Sequence, residues 1–176
     1  MILLLQYTLI FASVLILVAL GGCFAEHSGV INLGLEGIMI MGALGGALTM
    51  RYVPNTAPAI VMLLAVIVVS ALVGMVYSCL LAVASINFKA DQTLVGTALN
   101  LLGTAGATVI VKAINTAANP DDVSSIVQYG GAKRALLVSI GSFEFNWFML
   151  VAFIALVFAY VTLYKTRFGL RLMACG

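Results

Sequence analysis

The sequence predicts an all-α fold, a polytopic transmembrane helix bundle of about five spans. Three observations predict it. Of 176 residues, 64% are hydrophobic and only 8% charged, against about 25% charged in ordinary soluble domains. The mean hydropathy is +1.21. The apolar residues fall in long runs without the period-two alternation of barrel strands. Those runs reach the roughly 20 residues needed to cross about 30 Å of hydrocarbon.

The first run covers residues 2–22. Leu20-Gly21-Gly22-Cys23 has the look of a lipoprotein cleavage site, but a signal peptide begins with basic residues. Met1 to Ala25 contains no Lys or Arg, so retention as the first span is expected. A polar cluster follows, with Glu26, His27, Ser28, Asn32 and Glu36. The second span, 31–50, is rich in Gly and Met. Pro54, Asn55 and Pro58 mark a loop over 51–58. The third span, 59–86, carries no charge. A break containing Lys89 and Asp91 precedes the fourth span, 93–114. Residues 115–144 form the extended polar region, expected to be an external loop, and the fifth span covers 145–164. The stretch 165–176 is basic, and residues 1–176 read as a single transmembrane domain that is expected to be incomplete at its C-terminus.

A net charge of +2, with no basic stripe, argues against a nucleic-acid partner. Cys23, Cys79 and Cys175 have no paired spacing and read as small apolar packing residues rather than disulfide or zinc ligands. Five spans put the two ends on opposite sides of the membrane. Basic residues, which favour the cytoplasm, divide evenly: Lys89, Lys165, Arg167 and Arg171 on one side, Arg51, Lys112, Lys133 and Arg134 on the other. The dense cluster at 165–171 favours a cytoplasmic C-terminus and an external N-terminus. Trp147, with Phe143 and Phe145, and Tyr160 with Tyr164 suit the aromatic belts at the two ends of the fifth span.

Glu36 opens an otherwise apolar helix. A carboxylate near hydrocarbon is costly, so it either lines a polar route or sits at a helix N-terminus, stabilised by backbone N–H groups and the dipole. Gly42 and Gly46, with Ala43 and Ala47, form a small-residue face for close helix packing. Gly37, Gly96 and Gly103 are assigned the same role. On the fourth span Thr97, Asn100, Thr104 and Thr108 recur on one side. They act either as interhelical hydrogen-bonding groups or as a neutral wall for a hydroxylated solute. His27, beside Glu26, reads as a solvated loop histidine. No phosphate loop of the Gly-x4-Gly-Lys-Ser/Thr type is present, and one histidine does not make a multi-histidine metal centre. No catalytic residue, cofactor or metal is therefore expected, and any ATP hydrolysis would belong to a separate chain.

The run from Gly21 to Met39, with Ser28-Gly29-Val30-Ile31-Asn32-Leu33-Gly34-Leu35-Glu36-Gly37 at its centre, resembles a signature of bacterial ABC-importer inner-membrane permeases. These serve simple sugars, branched-chain amino acids and nucleosides. The form here is most similar to the nucleoside branch, whose partner is a basic-membrane-protein type lipoprotein; the sugar branch typically has aspartate in place of Asn32. Two further stretches carry the resemblance: Lys89-Ala90-Asp91-Gln92-Thr93 with Gly96-Thr97-Ala98-Leu99-Asn100, and Thr166-Arg167-Phe168-Gly169-Leu170-Arg171 with Ala174-Cys175-Gly176.

The resemblance implies a permease subunit in the bacterial inner (plasma) membrane that translocates a nucleoside or simple-sugar-like solute by alternating access. It implies three partners: a cytoplasmic ATP-binding subunit, an extracytoplasmic solute-binding lipoprotein, and a second permease subunit, in a homodimer or, favoured here, a heterodimer. Lys165, Arg167, Phe168, Gly169, Leu170 and Arg171 would lead into the ATPase-coupling helix, and loop 115–144 would face the binding protein. Asn32, Glu36, Thr97, Asn100 and Thr104 are the expected pathway residues. The chain resembles the N-terminal half of such a permease. The competing expectation is a secondary transporter or channel driven by an ion gradient. That would need membrane-embedded ionisable residues, for which only Glu36 qualifies.

Overall fold

The computed structural model describes residues 2–54, 58–127, 137–140 and 143–175. It is helical apart from one short hairpin. In chain order come α1 (Ile2–His27), α2 (Leu35–Tyr52), α3 (Ala59–Ile86), α4 (Gln92–Ala118), β1 (Leu137–Ile140), β2 (Phe143–Asn146), α5 (Trp147–Lys165) and α6 (Arg167–Cys175).

The packing is that of a protein whose solvent is lipid. Large apolar side chains face outward: Phe11, Ile60 and Leu101 are 68%, 71% and 75% exposed. Buried positions include small or polar residues such as Ser13, Ala152, Ala159 and Asn115. Lipid tails are as apolar as leucine, so helices associate through small-residue contacts and hydrogen bonds rather than by hiding apolar area. Four described helices are long and apolar enough to cross a membrane: Leu3–His27, Ile60–Ile86, Gln92–Ala118 and Phe148–Lys165. The expected second span, α2, is 18 residues long, with Glu36 in its first turn and Arg51 in its last, and is not among them. Its interior is glycine-rich because it packs against both α3 and α4, so helices rather than lipid surround much of it.

Several helix ends differ from the sequence expectation. The first helix runs past residue 22 to His27, because the polar cluster forms its last turn instead of a break. It ends in a Schellman motif: Val30 N–H bonds Ala25 O, Gly29 N–H bonds Glu26 O, and Gly29 takes φ 76°, a conformation that suits glycine. His27 therefore closes a helix rather than standing in a loop. Its Nδ1 lies 2.7 Å from Cys23 O, and the Tyr164 hydroxyl lies 3.4 Å from Nε2. The second helix begins at Leu35 rather than 31 and continues to Tyr52, so Arg51 is helical. The fourth begins on Asp91, whose carboxylate accepts from Thr93 N–H at 2.7 Å and Leu94 N–H at 3.3 Å; this is an N-cap. It runs to Ala118 rather than 114, which shortens the loop expected at 115–144. An antiparallel hairpin, with Leu137 opposite Asn146 and Ile140 opposite Phe143, overlaps the end of that region and the first two residues expected in the fifth span, which runs instead over Trp147–Lys165. The hairpin's sequence signal is the alternation Phe143-Glu144-Phe145-Asn146.

The chain divides into two compact units. The first comprises residues 1–32 and 136–176, in which α1 runs beside α5. Ala152, Ala159 and Leu163 are buried on α5, and Gln6 and Ser13 on α1. The second unit, residues 33–135, holds α2, α3 and α4. Here Tyr77, Leu81 and Leu99 form the core with Ile38, Met41 and Val95 against them. Tyr77 donates its hydroxyl to Leu99 O at 2.6 Å, which ties α3 to α4.

Candidate functional site

Within the second unit, the α2–α4 pair brings the polar groups together. The helices run parallel, since Gly37 meets Asn100 and Arg51 meets Asn115. The approach near Gly37 is backbone to backbone. A Cβ on Gly37 would stand 2.6 Å from Leu99 O, one on Gly96 would stand 2.9 Å from Gly34 N, and one on Gly103 would stand 2.9 Å from Gly37 Cα. The other side of α2 meets α3: a Cβ on Gly42 would lie 3.3 Å from Ser70 O, and one on Gly46 2.5 Å from Ser70 Oγ.

Asn100 exploits this closeness. Its Oδ1 accepts from Gly37 N–H at 2.7 Å, and its Nδ2 donates to Leu33 O at 2.7 Å. The first N–H groups of a helix lack intrahelical partners, and α2 has no side-chain cap of its own. An amide from α4 therefore joins the start of α2 to the segment before it. Asn100→Ala would leave both backbone groups unpaired, at about 1–3 kcal/mol each. The expected result is a loss of about 2–4 kcal/mol in unfolding of the detergent-solubilised protein.

About 22 Å further along α4, at 1.5 Å per residue, a second asparagine closes the other end. Asn115 is 2% exposed. Its Oδ1 accepts from Arg51 Nη1 at 2.6 Å, and its Nδ2 donates to Ser124 O at 3.0 Å and Ile126 O at 2.8 Å. Between the two asparagines lies a groove of about 290 Å³. Ile40, Ala43, Leu44 and Ala47 of α2 face Thr104, Ala107, Thr108 and Val111 of α4 across it, and Ser125 and Val127 complete the lining. Among the described residues, no charged side chain lines it.

The threonine hydroxyls are already committed as donors. Thr104 bonds Asn100 O at 2.9 Å, Thr108 bonds Thr104 O at 2.8 Å, and Thr97 bonds Thr93 O and Leu94 O. Each hydroxyl has one hydrogen and two lone pairs, so Thr104 and Thr108 offer the groove acceptors. Of the five expected pathway residues, only Thr104 lines this groove. Asn100 lies one turn away with its amide occupied, and Thr97 is exposed two turns away. Glu36 is exposed in the first turn of α2, where a carboxylate suits the helix dipole. Asn32 belongs to the first unit.

The expected coupling residues straddle a bend between α5 and α6. Lys165 ends α5, and Thr166 caps α6, its Oγ1 accepting from Gly169 N–H at 3.4 Å while donating to Thr162 O at 2.6 Å. Gly169 is buried, and any Cβ there would overlap the Leu163 carbonyl oxygen. Arg167, Phe168, Leu170 and Arg171 are exposed. Sequence reasoning missed Arg51, Asn115 and Ser125. The helical stripe would have reached Asn115 if continued seven residues beyond Thr108, because seven residues return to nearly the same face.

Residues 4–176 match the family described as branched-chain amino acid transport system / permease component. The chain is 36% identical over 175 residues to the guanosine ABC transporter permease protein NupQ of Bacillus subtilis. It is 32% identical over 171 residues to the nucleoside ABC transporter permease protein NupC of Lactococcus lactis. Each match covers 96% of this chain and 54% of the relative, so the chain spans about half the length of these curated relatives. No solved structure matches it significantly.

Proposed function

The chain belongs to the branched-chain amino acid transport system permease family and is a multi-pass protein of the bacterial plasma membrane, and on that premise we propose that it forms the solute-conducting part of an ATP-driven importer for nucleosides. The relatives named above are transport components rather than catalysts. The observation that carries the solute class is the groove between α2 and α4, neutral among the described residues and edged by the acceptor oxygens of Thr104 and Thr108. Such a lining matches a neutral solute rich in donors, such as ribose hydroxyls and the N–H groups of a purine. A few weak hydrogen bonds among alanines also let the solute leave as readily as it enters.

In this reading the C-terminus is cytoplasmic and the N-terminus external. A separate ATP-binding subunit docks on α6, where Phe168 and Leu170 stand exposed between Arg167 and Arg171. A binding lipoprotein delivers solute at the opposite end, near 119–127, and a second permease subunit completes the pathway. ATP binding and hydrolysis move α6, and the bend at Thr166 passes that motion to α5.

The test is uptake of labelled guanosine by the full-length permease with its ATP-binding and solute-binding partners. Uptake should vanish when the ATPase is inactivated and survive collapse of the proton gradient; the reverse pattern favours an ion-driven carrier. Thr104→Val keeps the shape of the side chain and removes the acceptor. It is expected to lower apparent guanosine affinity about 5- to 10-fold, the equivalent of about 1–1.4 kcal/mol for one hydrogen bond, with normal amounts of folded protein. Unchanged affinity would remove Thr104 from the route.

A further inference from the structure

We propose that Asn115 is a positioning residue that holds the end wall of the α2–α4 groove and thereby sets the space available to solute. This deepens the transport reading and rests on it. Eight of the ten described lining residues come from the two helices; Ser125 and Val127 come from the loop after α4. The two amide hydrogens of Asn115 go to the carbonyls of Ser124 and Ile126, at 3.0 and 2.8 Å. These are the peptide groups immediately before Ser125 and Val127. The placement of both wall residues is thus governed by one buried side chain.

Three further bonds of the loop are short-range and fix its local shape. Ser124 N–H bonds Asp122 Oδ1 at 3.0 Å, Ile126 N–H bonds Ser124 Oγ at 3.2 Å, and Thr116 Oγ1 bonds Asp122 O at 3.2 Å. Asn115 reaches in both directions, because its Oδ1 also takes the Arg51 guanidinium from the last turn of α2 at 2.6 Å. An amide is the group this position requires. It accepts from arginine and donates to two carbonyls at once, and the bonds leave no buried side-chain polar atom unpaired among the described residues. A carboxylate would satisfy Arg51 and repel both carbonyls.

That difference supplies the test. In the full-length permease, Val127→Cys, at the half-buried wall position, is introduced with Cys23, Cys79 and Cys175 changed to alanine, and modification by a small methanethiosulfonate reagent is timed in native membranes. Asn115→Asp is expected to speed labelling of V127C at least tenfold. Helicity and yield of the purified N115D permease should match those of the parent and so report intact helices. Arg51→Met, which keeps both amide donors, is expected to leave labelling of V127C slow. Where guanosine uptake is measured, N115D should raise the apparent KM at least fivefold with the maximal rate within twofold. Should N115D fail to assemble, Asn115→Ser, uncharged but too short to reach the carbonyls, takes its place with the same expected labelling.

Unchanged labelling in N115D overturns the proposal, as does R51M opening the wall to the same extent. Absence of guanosine uptake by the unmodified permease sinks the transport reading instead, and labelling still decides the role of Asn115.

Discussion

Gly37→Ala is expected to lower the unfolding free energy of the detergent-solubilised protein by about 2–3 kcal/mol, whereas Gly106→Ala is expected to raise it by up to about 1 kcal/mol. Both glycines are helical, so alanine gains propensity at each. They differ in what a methyl group meets. At Gly37 it meets Leu99 O at 2.6 Å and Asn100 Cα at 3.0 Å, whereas at Gly106 nothing lies within 4 Å. The obstacles at Gly37 are backbone atoms of α4, which cannot turn aside as a side chain can, so the helices must part. Overpacking typically costs about 1–3 kcal/mol. Separation also stretches the 2.7 Å bond between Gly37 N–H and Asn100 Oδ1, adding about 0.5–1.5 kcal/mol. Thermal or denaturant unfolding followed by helicity checks the pair. Equal behaviour of the two variants would refute the close approach of α2 and α4.

The second large effect is functional. Gly169→Ala is expected to reduce ATP-dependent uptake at least tenfold in the full-length complex while the permease still assembles. A methyl group at this position overlaps Leu163 O and lies 2.5 Å from Thr162 O, both in the last turns of α5. The Thr166 cap holds the bend from the other side, through its bonds to Thr162 O and from Gly169 N–H. Relief therefore comes from swinging α6, the segment proposed to meet the ATPase. Uptake and ATP hydrolysis measured together in proteoliposomes should show hydrolysis persisting without transport. Leu170→Ala, on the exposed side of α6, keeps the bend and should weaken docking instead, restored by raising the ATPase concentration. Normal transport by G169A would mean that the bend carries no motion.

The spans were legible because hydrophobic length is a one-dimensional property. Twenty-odd apolar residues mark a helix whatever it touches, and the uncharged run 59–86 coincides with α3. Helix ends were less legible because neighbours set them. Glu26 and His27 look like a break on polarity, yet they complete the last turn of α1. Arg51 looks like loop, yet it is kept helical beside a partner 64 positions away. The α2 helix is the clearest case. Its glycines and end charges depress its hydropathy, and what makes that tolerable is the presence of α3 and α4 around it.

The candidate site divides in the same way. The stripe Thr97, Asn100, Thr104 and Thr108 follows from helical spacing alone, but spacing does not say which groups are already satisfied. Asn100 has both ends of its amide bound to the α2 start, which leaves Thr104 and Thr108 to face open space. Ser125 carried no signal, since a loop residue joins a groove only through a distant anchor.

By itself, then, the amino-acid order determined the solvent of this protein, its helical class and the faces rich in glycine, threonine and asparagine, because each depends on residue type and local period. Only the tertiary structure decided that α2 and α4 lie parallel at backbone contact, that Asn100 and Asn115 tie the two helices together on either side of one groove, and that Gly169 sits tight against the end of α5 at the α5–α6 bend. The physical reason is that a hydrogen bond or steric overlap is a property of a pair, and the second member of each pair here comes from elsewhere in the fold.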